Sequence, residues 1–528
     1  MKYDAIVVGG GLSGLIAAAY LARSGHSVLI CEKEKVCGGL VNTFERDGFV
    51  YDGGIRALEN SGVLFPMLRH LGLDLELVKN HISIGIEDRV IRVESEADVA
   101  GYQDLLAGLY PQNRQEIEAI IAQIRVIMHY MEVQYGIDNP IFLDMKKDQA
   151  YMVRVILPWV FKYTLTVSKI TALNEPVLDF LHRYTQNQSL LDIIAQHFFH
   201  GAPAFFALSY LKLYLDYYYP VGGTGKFVEK LVAFIEAHQG ELRTQTEIVA
   251  VEPQGQKVTD SQGQTMEYGR LVWAADQKAL YHAILPDHIT DTRVKQAFVE
   301  RRDLLADKTG NDSVFTLFLA VNLDKSYFTA RASEHFFYTP RRTGQSTAGP
   351  IPTTGDRTQV EKWLEGFFTY TTYEISSPVM RDATLAPAGK TGLIVSALFD
   401  YRLTYAIEQA GWIEDFKTFA ADHMINALDS SIYPGLKAAI LESFSSTPLT
   451  MARLAGTTDG AITGWAFDNQ PMPAESRLPR IMNAIRTSIP GILQAGQWTY
   501  SPSGLPISIL TGKLAADQAI KELKSRKR

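Results

Sequence analysis

Apolar and polar positions along this chain follow two periods, and the stretches where each period holds predict its elements. Residues 5–8 (Ala5, Ile6, Val7, Val8) and 27–31 are apolar runs without alternation, as in strands buried on both faces of a parallel sheet. An Ala-rich helix is predicted between them, over 15–22. From 63 to 73, and again from 103 to 135, apolar residues recur at helical spacing; Ile117, Ile120, Ile121, Ile124, Ile127, Met128 and Met131 mark one such face. Helices are also expected through the aromatic-rich stretch 181–219 and over 226–238. A strand at 246–252, a hairpin at 257–268 and a strand at 270–276 follow. Runs of apolar, β-branched and aromatic residues bounded by polar turns predict strands at 313–321, 335–338, 364–369 and 392–399. Helices over 412–428 and 435–441 come next, and a strand from 492 and a helix over 507–522 end the pattern.

What joins the first strand to the first helix carries the chemistry. Gly9, Gly11 and Gly14 are spaced as in a dinucleotide-binding turn, with Leu12 and Ser13 opening the helix. The first glycine makes the tight turn, the second lets the backbone approach a pyrophosphate, and the third lets helix and sheet pack closely. The helix amino terminus then presents unpaired N–H groups to the phosphates. The second strand delivers Glu32, placed to accept hydrogen bonds from a ribose diol, with Lys33 beside it. A second glycine pair, Gly38-Gly39 before Leu40, suggests close approach to a ligand longer than a bare nucleotide, and after a short strand a third pair, Gly53-Gly54, precedes Ile55 and Arg56.

Composition narrows the remaining classes. A chain of 528 residues is too long for one simple core, which points to two associated domains. The net charge of -7 offers no basic field, so nucleic acid is not an expected partner. Cys31 and Cys37, the only cysteines, fit neither a zinc spacing nor a disulfide framework, and no metal site is expected. That usage, and a buried strand starting close to Met1, point to a cytoplasmic protein without a leader. The segment 151–167 is strongly apolar and aromatic but is interrupted by Arg154, Pro158 and Lys162. It suits either a membrane interface, with Trp159 and Tyr163 at headgroup level, or the wall of a substrate channel or a core helix. His197 and His200 stand three apart, on one face if that stretch is helical.

The opening unit, the glycine pairs, and the series Thr447-Pro448-Leu449-Thr450, Arg453, Gly456, Gly460, Gly464 resemble the FAD-dependent oxidoreductases that include phytoene desaturases, carotenoid isomerases and retinol saturases. Amine oxidases are more distant members, and they usually carry arginine where this chain has Leu40. The resemblance implies an α/β fold of two lobes: a Rossmann-like FAD domain assembled from 1–75, 220–285 and 445–528, and a mixed α+β substrate domain with a helical part from 76–219 and 286–444. It implies FAD along Gly38, Gly39 and Leu40, with Val249 near the adenine. It also implies Gly496 near the ribityl phosphate, and Gly504, Leu505 and Pro506 at the flavin ring, where a helix amino terminus stabilises the charge of reduced flavin. Arg453 would orient the loop or pair with a carboxylate. The implied activity is hydride exchange between flavin and carbon–carbon bonds of a long apolar polyene. An amine or other heteroatom oxidase, and a membrane-associated FAD-binding module without turnover, are the alternatives. No catalytic acid or base stands out in the sequence. The basic tail 521–528 is expected to fray.

Overall fold

The computed structural model describes residues 2–144, 147–477 and 480–526. Two seven-stranded sheets dominate it. In the first, Val28–Cys31 and Thr265–Trp273 flank Lys2–Val8 in parallel, Glu241–Arg243 extends one side, and Ile492–Gln494 pairs with the end of Thr265–Trp273. The apolar runs are explained by burial on both faces. Val7, Val28 and Ile30 pack under the helices Leu12–Arg23, Gly225–Ala237 and Leu505–Arg526, while Ile6, Leu29 and Leu271 face a second cluster with Trp273 and Trp465. The hairpin expected at 257–268 and the strand after it are continuous: Thr265–Trp273 pairs with Lys257–Asp260 at its start and with Lys2–Val8 along its length.

The second sheet runs in the order Ile440–Ser446, Ser313–Val321, Thr391–Phe399, Tyr373–Ser376, His335–Thr339, Ile82–Ile86, Arg89–Val93. One face, with Phe315, Leu317, Val395 and Ile375, is buried beneath the helices Arg357–Tyr370 and Ile413–Asp429. The helix Arg357–Tyr370 replaces the strand expected at 364–369. Read from Val360, the spacing Val360, Trp363, Leu364, Phe367, Phe368 is helical, and all five are buried. Likewise the helix expected at 435–441 is only Leu436–Ala439, and the chain then enters the edge strand Ile440–Ser446.

The predicted helix over 103–135 is two helices, Val99–Leu109 and Arg114–Tyr135, separated at Pro111. The segment 151–167 is helical throughout. A π-turn at Met152–Ile156 precedes the helix Leu157–Ala172, and the wider turn accommodates Pro158, which has no N–H to donate. Trp159 is not placed as the membrane-interface alternative would have it: its indole N–H donates to the Val133 carbonyl, and its ring stacks on Tyr163 at 5.0 Å. Val153, Leu157, Val160, Phe161 and Leu165 are its exposed large apolar side chains. The tail does not fray at 521, because the last helix continues to Arg526; Lys527 and Arg528 lie outside the described residues.

The two sheets are joined by the hairpin Thr43–Arg46/Phe49–Asp52. Its Phe44, Phe49 and Tyr51 pack on Phe318, Ile394 and Phe444 of the second sheet. Its last residue, Asp52, is fully buried. The Asp52 carboxylate accepts from the hydroxyl of Thr43 (2.9 Å), the backbone and hydroxyl of Thr224 (3.0 and 2.8 Å), and the hydroxyl of Tyr219 (2.8 Å). One side chain thereby ties the hairpin to the strand Tyr217–Pro220 and the start of the helix Gly225–Ala237. Removing it would strand four donors away from water. Asp52→Ala is expected to cost about 3 kcal/mol in chemical denaturation; a loss within measurement error would show that the cluster does not join the lobes.

Candidate functional site

The three motif glycines are glycine for different reasons. Gly9 has φ +101°, and a Cβ there would stand 2.9 Å from the Ala274 carbonyl oxygen. A Cβ on Gly14 would stand 1.9 Å from the Gly9 oxygen. Those two are required by the fold itself. Gly11 has an ordinary φ of -69°, and a Cβ on it would meet nothing within 4 Å. Its small size leaves open a surface at backbone height, the feature a pyrophosphate requires. Gly11 is also the N-cap of the helix Leu12–Arg23, and no side chain caps it, so the first amides of Leu12, Ser13 and Gly14 border the same surface.

The neighbouring segments close around this turn. Gly38 N–H donates to Gly10 O at 2.8 Å, and Gly11 bridges Gly38, bringing Gly39 within contact of Gly11. Glu32 is buried; its carboxylate accepts from Gly10 N–H at 2.7 Å and from Glu34 N–H at 2.9 Å, so the acid is fixed at the rim before any ligand arrives. Gly496 comes from the other end of the chain: its N–H donates to Thr511 Oγ1 at 2.9 Å, and a Cβ on it would stand 2.8 Å from Ser13 Oγ. Lys33 turns away from the turn and donates to the Arg453 carbonyl at 2.7 Å. The Arg453 side chain is exposed and has no ion pair among the described residues, contrary to the expected carboxylate partner. Val249 sits in a bulge, where the ladder steps from Ile248–Asp260 to Ala250–Thr259. Its backbone is out of register with the next strand, and the amides of Gln245 and Thr246 hold that edge against Glu34 and Glu32.

Beyond the turn lies a cavity of about 250 Å³. Leu40, Gly53, Gly54, Gly504 and Leu505 line one end, with Pro506 next in the helix Leu505–Arg526. Gly54 lies so close to Leu40 that a Cβ would be 2.0 Å from its carbonyl oxygen, which makes this end a wall of backbone. The remaining walls are largely aromatic: Phe198, Phe199, Phe206, Tyr210, Tyr214, Tyr217 and Phe337. His197 is in this wall, its pKa pushed down to about 3 by burial, and it bonds the Tyr214 hydroxyl. His200 is exposed; both histidines follow the helix Gln188–Ala195, so they share no helix face.

Sequence reasoning missed four ionisable residues in the cavity: Arg56, Glu59, His335 and Glu374. Arg56 donates to the Asp52 carbonyl (2.7 Å) and to Ser396 Oγ (3.0 Å), and its buried Nε has no partner. Burial pushes the Glu59 carboxyl up to about 7 despite its bond from Ser61. Arg56 follows the third glycine pair directly, a signal that was available. Glu374 was not visible until strand register put it on the cavity side.

The surface at Gly11, the fixed Glu32 and the backbone-lined cavity end fit an extended dinucleotide with a flat ring at one end. The contrast between glycines is testable by measuring flavin content and thermal midpoint of purified variants. Gly11→Val is expected to keep the wild-type midpoint while weakening FAD binding at least about tenfold, whereas Gly14→Val is expected to lose the fold. Full flavin occupancy in Gly11→Val would remove the pyrophosphate assignment.

Residues 12–321 match the family model described as flavin containing amine oxidoreductase. A curated relative, the 4,4'-diapophytoene desaturase (4,4'-diaponeurosporene-forming) of Staphylococcus aureus, is 21% identical over 542 residues, covering 98% of each chain. Solved structures of the same overall fold include a putrescine oxidase variant (TM-score 0.62, 14% identity, 99% of each chain). Cyclohexylamine oxidase from Brevibacterium oxydans is another (TM-score 0.58, 12% identity, 99% of this chain and 100% of that one). The chain belongs to the flavin containing amine oxidoreductase family and is an FAD-dependent oxidoreductase.

Proposed function

We propose that this flavoprotein acts on carbon–carbon bonds of a long apolar polyene or its precursor, by desaturation, saturation or isomerisation. The observation that carries this reading is the cavity wall. Opposite its backbone-lined end stand Phe198, Phe206, Tyr210, Tyr214 and Phe337. Past His197 and Tyr210, the side chains of Ile84, Tyr102, Ile124, Leu208 and Leu211 surround a void of only about 20 Å³, room for about one water. An aromatic wall of this kind suits an apolar substrate held by contact area, with the polar groups gathered on the facing strands. The relative named for 4,4'-diapophytoene desaturation supports the same substrate class.

In this reading Gly9, Gly11, Leu12, Ser13 and Gly14 would hold the diphosphate of FAD and Glu32 its adenosine ribose. The Val249 bulge would border the adenine, with Lys33 at the margin. Gly38, Gly39 and Gly496 would border the middle of the cofactor, and Leu40, Gly504, Leu505 and Pro506 the ring. The flavin supplies a two-electron hydride acceptor or donor. The chain does the rest: the aromatic walls exclude water and align the substrate, and the amino terminus of Leu505–Arg526 offers its partial positive charge to the ring.

The same reading gives the apolar helix a role. No helix among the described residues is long and apolar enough to cross a membrane. Yet Val153, Leu157, Val160, Phe161 and Leu165 are exposed together, with the basic Arg154, Lys162 and Lys169 also exposed on that segment. An apolar face edged by cations suits an anionic lipid surface. Tyr135 lies within electrostatic range of both Glu59 in the cavity wall and Tyr163 on this helix, so the surface and the cavity are neighbours.

Anaerobic mixing of the FAD-loaded protein with 4,4'-diapophytoene in vesicles is expected to bleach the flavin band, or to change the cis/trans ratio without bleaching. Bleaching by putrescine and no response to the polyene would overturn the reading. Replacing both Phe161 and Leu165 by Glu is expected to reduce cosedimentation with vesicles containing anionic lipid; unchanged cosedimentation would remove the docking face.

A further inference from the structure

Thr316, Ser396, Glu374 and Phe337 stand opposite one another on four adjacent strands. Cross-strand partners project from the same face of a sheet, and all four line the cavity. Their neighbours Leu317, Val395 and Ile375 are buried on the other face. Strand alternation therefore puts a carboxylate in the middle of the cavity floor. The Glu374 side chain is 32% exposed and that of its partner His335 only 4%.

A directed chain of hydrogen bonds stands behind Glu374. Arg381 Nε donates to Asn80 Oδ1 at 2.6 Å, which orients the amide so that Asn80 Nδ2 faces His335 Nδ1 at 3.4 Å. Nδ1 is then the acceptor, and His335 Nε2 carries the proton it donates to Glu374 Oε1 at 2.8 Å. The second carboxylate oxygen has no protein partner among the described residues. Burial alone would raise the Glu374 carboxyl; the His335 bond and the nearby Arg56 guanidinium outweigh it and hold it below the usual range. An ionised carboxylate between aromatic rings is costly to keep. For the fold, a glutamine would accept the same His335 bond without that cost.

Resting on the carbon–carbon reading above, we infer that Glu374 is the anionic catalytic group of the cavity: it stabilises positive charge at the substrate and accepts the proton of a desaturation. One substrate hydrogen leaves with its two electrons to the oxidised flavin. The hydrogen on the adjacent carbon leaves as a proton to the free oxygen of Glu374, and the electron pair of that second C–H bond becomes the new π bond. His335 is a positioning residue, holding the carboxylate by its other oxygen.

The test compares wild-type protein with Glu374→Gln and Glu374→Asp, each checked for flavin content and thermal midpoint. The first arm measures binding of N,N-dimethyldodecylamine, cationic near neutral pH, against neutral dodecanol by calorimetry. Glu374→Gln is expected to weaken the amine by about tenfold or more and leave dodecanol unchanged, with the preference retained in Glu374→Asp. Amine affinity that does not fall, or that falls equally with dodecanol, overturns the inference whatever the substrate. In the second arm, anaerobic bleaching of bound FAD by 4,4'-diapophytoene is expected to slow about 100-fold in Glu374→Gln and less in Glu374→Asp; bleaching at the wild-type rate overturns the proton role. If the polyene only changes its cis/trans ratio without bleaching the wild-type flavin, the proton role falls; if it gives neither response, the carbon–carbon reading falls with it; in both cases the amine arm decides the charge role.

Discussion

The approach of the first helix to the last is the contact on which the site depends. A Cβ on Gly14 would collide with the Gly9 oxygen, and one on Gly512 would stand 2.5 Å from the Ser13 oxygen. Two helices from opposite ends of the chain therefore touch through backbone at the turn, and Gly496 is drawn to Ser13 by the same packing. This closeness leaves the turn no room to relax, so the open surface over Gly11 is rigid. A rigid, amide-lined surface binds a diphosphate without the cost of ordering itself first.

A second constraint carries that rigidity into the cavity. Asp52, with its donors from Thr43, Thr224 and Tyr219, fixes the end of the hairpin from which Gly53, Gly54 and Arg56 emerge. Arg56 then reaches Ser396 of the second sheet, directly across from Glu374. Backbone wall, guanidinium and carboxylate thus share one frame, and the aromatic side of the cavity is built separately by residues between 196 and 217 and by Phe337.

Much of the first lobe was legible because its signals are local. Strand, turn, helix and acid follow one another within Lys2 to Glu32, and the spacing of the glycines reports the turn even though Gly9 is also held close against Ala274. Aromatic residues of the stretch 181–219 do line the cavity, a role that residue type alone does not separate from packing in a core. Legibility failed where a residue's meaning depends on pairing or on the window chosen. Glu374 is one charged residue in a short strand, and only its register against Ser396 and Phe337 turns it to the cavity. Leu364 to Thr369 reads as a strand until Val360 and Trp363 restore the helical period. Trp159 looked like an interfacial anchor by type, but its N–H finds the Val133 carbonyl, and the exposed apolar positions fall to Val160 and Phe161 instead.

The most direct measurement is a crystal structure of the FAD-loaded protein. The diphosphate is expected over Gly11, the ribose diol on Glu32, and the flavin ring between Gly54 and Leu505, leaving Glu374 facing its open side across the aromatic cavity. A diphosphate away from Gly11, or a ring that fills the floor above Glu374 and leaves no space beside it, would contradict both the clamp and the chemistry built on it.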